Sequence, residues 1–284
     1  MKPADYARLL LLAALWGASF LFMRVTAPIL GPVWTAEGRM LIGAGALAAW
    51  FAFTGFDPQW RAHWRFYAVV GVVNSAIPFS LYAFAAIHLP ASLMAVLNAT
   101  SPMFGLALGA VFSGERVTAR KIGGLALGAA GVAVIARPGA FDTDAMFAWA
   151  LAACLAASFS YGITGVLVKR FGAGVPSRGM AVATQAWAAL ALLPLLPFVP
   201  PASMPSPAIF ANLAALGVLA SGVAFILYFR LIADVGATRA LTVTFLIPVF
   251  AFAWGLLFLG ESLSAAEIGG SLLILAGTVL VTRG

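Results

Sequence analysis

The chain has 284 residues, 63% of them hydrophobic and only 9% charged, with a mean hydropathy of +1.04. Soluble domains carry about 25% charged residues, so nine acidic and sixteen basic side chains could not coat a water-exposed surface of this size, and a lipid bilayer is the expected solvent. The net charge of +7 does not mark a nucleic-acid binder, because the basic residues stand singly or in pairs between long apolar runs rather than along one face.

A membrane-spanning helix needs about 20 mostly apolar residues. The first such segment, 6–26, follows Lys2 and Asp5 without a small-residue cleavage site and reads as a retained helix rather than a removed leader. The second, 33–54, carries Glu37 and Arg39 near its start. The third, 65–87, repeats Asn74, Pro78 and Tyr82 at steps of four, which places them on one helix face. Next come 91–112, with Met94, Asn98 and Ser101-Pro102, and 119–136, with Gly123, Gly124, Gly128 and Gly131 at spacings that suit close packing against a tenth helix. Segment 145–169 holds the lone Cys154, read as a small packing residue, and 178–198 runs into an uncharged, proline-rich link from Pro197 to Pro207. The remaining segments are 207–232, 237–259 and 265–282. The sequence therefore predicts an all-α membrane protein of ten transmembrane helices.

Lys and Arg near helix ends are retained on the cytoplasmic side. With the N-terminus inside, that side holds Lys2, Arg8, Arg61, Arg65, Arg116, Arg120, Lys121, Lys169, Arg170, Arg178, Arg230, Arg239 and Arg283, thirteen of the sixteen basic residues. Arg24, Arg39 and Arg137 fall toward the other side, together with Glu37, Asp142, Asp144, Glu261 and Glu267. Both termini are expected in the cytoplasm, and the cell inner membrane is the expected location.

Shifted by 146 residues, 71–137 lies on 217–283 without a gap and 22 of 67 positions are identical. Matches include Gly71 with Gly217, Ser75 with Ser221, Tyr82 with Tyr228, Pro102 with Pro248 and Gly114-Glu115 with Gly260-Glu261. This reads as two repeats, 1–140 and 141–284, in one integrated membrane domain. Five helices per repeat is an odd number, so the second copy enters the membrane inverted relative to the first, the arrangement by which many secondary transporters alternate access to a central site.

The stretches Leu89 to Gly131 and Val235 to Gly277 each run from a small-residue helix through a proline to Phe-x-Gly-Glu and then Ile-Gly-Gly. With Trp16-Gly17-Ala18-Ser19-Phe20 and Tyr228-Phe229-Arg230, they resemble the EamA-type branch of the drug/metabolite transporter superfamily over nearly the whole chain. The chain departs from that pattern at Ser158-Phe159-Ser160-Tyr161, where a tryptophan is common. The resemblance implies ten helices with cytoplasmic termini and export of small metabolites, amino acids prominent among them.

Polar side chains in mid-helix must face a cavity or another helix, because an unpaired polar group in hydrocarbon is expensive. The candidates for a substrate cavity are Trp16, Ser19, Phe20, Asn74, Ser75, Pro78, Phe79, Tyr82, Met94, Asn98, Ser101, Pro102, Ser158, Tyr161, Ser221, Phe225, Tyr228, Thr244 and Pro248. The competing reading is that these groups only bind helix to helix. Pro102 and Pro248 each remove an N–H, so carbonyls there are expected to face the cavity. Arg24, Glu37 and Arg39 form an outer gate or snorkel to the interface, and Glu115 and Glu261 are read as caps of the helices that follow them.

His63 and His88 stand far apart and Cys154 is alone, so no metal, cofactor or catalytic cluster is expected and an enzyme is disfavoured. No acidic residue falls in the middle of a predicted span, which favours export down a gradient over a proton-coupled multidrug pump. The expected partners are a small-molecule substrate, an amino acid or similar metabolite, and the lipid bilayer. A cavity of neutral polar groups with Trp, Phe and Tyr walls suits a zwitterion with an apolar or aromatic side chain.

Overall fold

The computed structural model describes residues 2–136 and 145–283; Arg137, Asp142 and Asp144 lie outside the described residues. The described residues contain helices and no strands, and the helices group into ten spans. These are α1 (Pro3–Leu30), α2 (Pro32–Thr54), α3 (Trp60–His88), α4 (Ala91–Phe112), α5 (Ala119–Ile135), α6 (Ala145–Phe171), α7 (Ser177–Phe198), α8 (Pro207–Val235), α9 (237–259) and α10 (Ala265–Arg283). Seven of them are long and apolar enough to cross a membrane, and Val243–Leu259 within α9 is a shorter apolar helix. Boundaries fall within a few residues of those read from the apolar runs, the largest extensions being at α1 and at the start of α3, where Trp60 and Trp64 continue the helix.

Long-range hydrogen bonds fix which helix ends share a face of the bundle. Arg8 at the start of α1 pairs with Asp234 at the end of α8 at 2.7 Å, which marks the near face. At the far face Ala202 N–H, in the α7–α8 link, donates to Ile29 O at the end of α1 over 3.0 Å. The Glu261 carboxylate, just beyond α9, reaches the start of α4 there too.

The spans pack in matched pairs: α1 on α9 and α6 on α4, α2 on α8 and α7 on α3, and α5 on α10. Glycine permits the closest of these approaches. A Cβ at Gly17 would lie 2.9 Å from Ala251 N, and one at Gly162 would lie 2.9 Å from the Phe104 carbonyl carbon. Gly17 and Gly162 thus do the same work in α1 and α6, which makes Tyr161 the positional partner of Trp16. Between α5 and α10, Gly124 faces Gly277 and Gly131 faces Gly270, whereas Gly123 faces open space and takes no part. Lipid tails are as apolar as leucine, so such backbone proximity, rather than burial of apolar surface, holds these helices together.

Two spans are locally widened. Residues 72–76 of α3 and 218–223 of α8 form π-turns, at positions about 146 residues apart. A π-turn leaves carbonyls without a regular partner, and side chains from other helices supply one: Ser160 Oγ donates to Val73 O at 2.6 Å and Trp16 Nε1 to Ala220 O at 3.2 Å.

Candidate functional site

A cavity of about 700 Å³ runs from the middle of the bundle to the near face, where Arg239 at the start of α9 and Thr282 at the end of α10 border it. Its volume is within the range of small-molecule sites, about 300–1,000 Å³. The bundle closes around it because α1, α3, α4, α6, α8 and α9 each turn one face inward.

The aromatic wall has two clusters. Trp16 stands 5.2 Å from Tyr228 in a tilted arrangement and 6.0 Å edge-on from Phe225, and the Trp16 N–H is anchored on the α8 π-turn. Opposite, Tyr82 meets Phe20 edge-on at 5.6 Å and stacks on Tyr161 at 6.4 Å. Tyr82 is only 2% exposed, and its hydroxyl donates to Asn98 Oδ1 at 3.0 Å while lying 3.1 Å from Ser158 Oγ. Ser158 in turn donates to Leu97 O at 3.0 Å. This chain of bonds joins α3, α4 and α6 and fixes the Asn98 amide at the cavity edge.

At Pro102 the released carbonyls do not turn to the cavity. In α4 the helix breaks at Ala99 and Thr100, just ahead of Pro102, and the carbonyls released there are taken by hydroxyls. Thr100 Oγ1 donates to Leu97 O, Ser101 Oγ to Asn98 O and Thr278 Oγ1 of α10 to Ala99 O, at 2.6, 2.6 and 2.7 Å. In α9 the helix breaks at Leu241 and Thr242, where Thr242 and Thr244 hydroxyls donate to Arg239 O and Leu241 O, and Pro248 lies inside the helix Val243–Leu259 that follows. A buried carbonyl without a donor costs about 1–3 kcal/mol, so the α4 break ahead of Pro102 is sealed by hydroxyls from α4 itself and from α10.

Of the residues singled out in the sequence, Trp16, Ser19, Phe20, Asn74, Phe79, Tyr82, Asn98, Ser101, Pro102, Tyr161, Phe225, Tyr228 and Thr244 line the cavity. Ser75, Pro78, Met94, Ser158, Ser221 and Pro248 are buried behind its wall. Ser158 and Ser221 hold groups that do face it. Met23, Gly105 and Thr242 line it without having been singled out, since nothing in their residue type sets them apart from packing positions.

The three residues read as an outer gate separate. Arg24 donates to the carbonyls of Ala86 and Ile87 at 2.8 and 3.0 Å, closing the end of α3. Glu37 is 1% exposed, about 8 Å inside the start of α2 at 1.5 Å per residue, and neither carboxyl oxygen has a hydrogen-bond partner among the described residues. Arg39, two residues on and therefore about 200° around the helix, reaches the cavity instead. Among the described residues no ion pair joins these three.

The two glutamates also depart from the expected caps. Glu261 accepts from Ala91 N–H at 2.8 Å and from the Ser92 N–H and hydroxyl at 3.4 and 3.3 Å, so it caps α4 in the other half of the chain. The helix that follows it, α10, is capped by Ser264 and Glu267, whose side chains exchange bonds with each other's backbone N–H. Glu115 pairs with Lys121 at 3.3 Å in the first turn of α5.

The profile of the EamA-like transporter family matches residues 6–137 and again 148–283. The chain belongs to the EamA-like transporter family. This places it in the drug/metabolite transporter superfamily and makes it a multi-pass membrane transporter of small molecules. The EamA-like chain is 29% identical to a probable terminal-alkyne amino-acid exporter of Streptantibioticus cattleyicolor, over 97% of its own length and 92% of the relative's. It is 26% identical to a probable amino-acid metabolite efflux pump of Salmonella typhimurium, over 98% and 94% of the two chains. A pseudopaline exporter of Pseudomonas aeruginosa is 27% identical over 74% and 72%. A solved crystal structure, 20% identical, aligns over 100% of this chain and 99% of its own with a TM-score of 0.66, and shows the same fold.

Proposed function

We propose that this EamA-like transporter exports amino acids with apolar or aromatic side chains, or closely similar metabolites, by alternating access through the central cavity. The observation that carries the reading is the cavity itself: aromatic faces from α1, α3, α6 and α8 beside amide and hydroxyl groups and the guanidinium groups of Arg39 and Arg239, with no carboxylate among the described lining residues. The double match of the family profile and the 146-residue correspondence of π-turns and Gly-Glu turns support two inverted repeats, 1–140 and 141–284, that rock against each other. With both termini in the cytoplasm of a cell whose inner membrane holds the protein, the near face is cytoplasmic and the cavity is inward-open, ready to load substrate for export.

One observation favours a second reading, proton-coupled efflux. Glu37 is a buried carboxyl inside a spanning helix with no hydrogen-bond partner among the described residues, the kind of group that proton-driven pumps place in the membrane.

Proteoliposomes with labelled phenylalanine, methionine or threonine test both. Export by facilitated transport predicts saturable uptake above empty liposomes, unchanged by a pH gradient; uptake equal to empty liposomes for all three overturns the amino-acid reading. Gradient-driven accumulation that disappears in Glu37→Gln, with equilibrative flux retained, would replace the first reading by the second.

A further inference from the structure

We propose that Arg39 is the anchor for the substrate's carboxylate, which makes the cavity a site for small apolar carboxylic acids in general. The inference rests on the cavity being the transport path and names the chemistry of its inner end. Arg39 is 6% exposed and borders the cavity, yet the described groups that bond or stack with its guanidinium, from Ser221, Met23 and Phe79, are all neutral. Nε donates to Ser221 Oγ at 3.0 Å, Nη1 points to Met23 Sδ at 3.8 Å, and the guanidinium carbon lies 3.8 Å above the Phe79 ring. Nη2 makes no hydrogen bond among the described residues, and no carboxylate among them lies within ion-pair distance.

A guanidinium so placed is costly unless something compensates it. Phe79 and Ser221 hold its plane and its Nε edge, so the remaining fork of N–H groups has a fixed direction. A planar fork with unused donors matches a carboxylate in two parallel hydrogen bonds, a match that lysine cannot reproduce. The nearest acidic residue in sequence, Glu37, projects from the opposite side of α2 and does not serve as counter-ion. Beyond the guanidinium the aromatic clusters of Phe20, Tyr82 and Trp16 offer apolar surface to the rest of the molecule.

The test is equilibrium binding to purified full-length protein of three probes that share a phenylethyl unit: phenylalanine, 3-phenylpropionate, which lacks the amine, and phenethylamine, which lacks the carboxylate. Wild type is expected to bind both acids and to reject the amine. Arg39→Gln is expected to weaken the acids at least about 30-fold, as loss of one partner of a buried charge pair does, and Arg39→Lys to recover only part of that loss. Binding of 3-phenylpropionate but not phenylalanine would remove the amino-acid reading and leave the anchor standing. Equal binding of amine and acid by wild type, unchanged acid binding in Arg39→Gln, or no binding of any probe would overturn the inference; the wild-type comparison decides even if Arg39→Gln fails to fold.

Discussion

Gly114-Glu115 and Gly260-Glu261 build two turns with the same backbone and different partners. Both glycines are left-handed, at φ 62° and 63°, where a side chain would be strained, and both glutamate N–H groups donate to the carbonyl six residues back, Gly109 O at 3.1 Å and Gly255 O at 3.0 Å. Each carboxylate then lies over that same glycine, where a Cβ would collide with it. From identical seats, Glu261 reaches across to α4 in the other half, while Glu115 binds Lys121 in its own. The turn is dictated locally; the partner differs because the position of Lys121 is held by Glu267 in the second copy, which cannot pair with a carboxylate. The Glu261 tie sits at the far face, which the cavity does not reach, and Glu115 sits at the near face, toward which the cavity extends past Arg239 and Thr282.

Removing the two carboxylates should break this comparison unequally. Glu261→Gln replaces a charged acceptor of backbone N–H groups, an interaction of about 1.5–3 kcal/mol, and should loosen the far face and lower thermal stability clearly. Glu115→Gln loses a partly exposed pair worth about 0–1 kcal/mol and should leave the melting temperature nearly unchanged. Thermal unfolding of the two variants in one detergent measures the difference; equal losses would mean that the ties are energetically alike. The smaller effect lies at the repeat-related tyrosines. Tyr82→Phe deletes the hydroxyl shared by Asn98 and Ser158 and should cost about 1–2 kcal/mol together with a reduced transport rate. Tyr228→Phe removes a hydroxyl with no partner among the described residues and should change stability by less than about 0.5 kcal/mol. Paired denaturation and flux measurements would sharpen the contrast between the α3 and α8 walls.

The spans were legible because a helix in lipid must be long and apolar, and the apolar runs end where charge and glycine begin. Most of the cavity wall was legible for the related reason that polar and aromatic side chains in mid-span need somewhere to go. What escaped depends on direction rather than composition. Glu37 and Arg39 stand two residues apart near a helix start and read as one gate, but about 200° of rotation buries one away from the cavity and brings the other to it. Glu261 has helix α10 next to it in sequence and α4 next to it in space. Pro102 announced a broken helix, Pro248 lies inside the unbroken helix Val243–Leu259, and the hydroxyls that take up the carbonyls released in α4 come partly from α10, beyond the reach of local pattern.

The central claim is that one cavity serves both faces in turn. Asn74 lines that cavity from the middle of α3, and the only cysteine, Cys154, is buried, so Asn74→Cys in a Cys154→Ala background gives a single reporter. A membrane-impermeant thiol reagent added from either side of oriented vesicles measures its access. Labelling from both faces, faster from the near face and changed by phenylalanine, is the predicted result; labelling confined to one face under every condition would contradict alternating access.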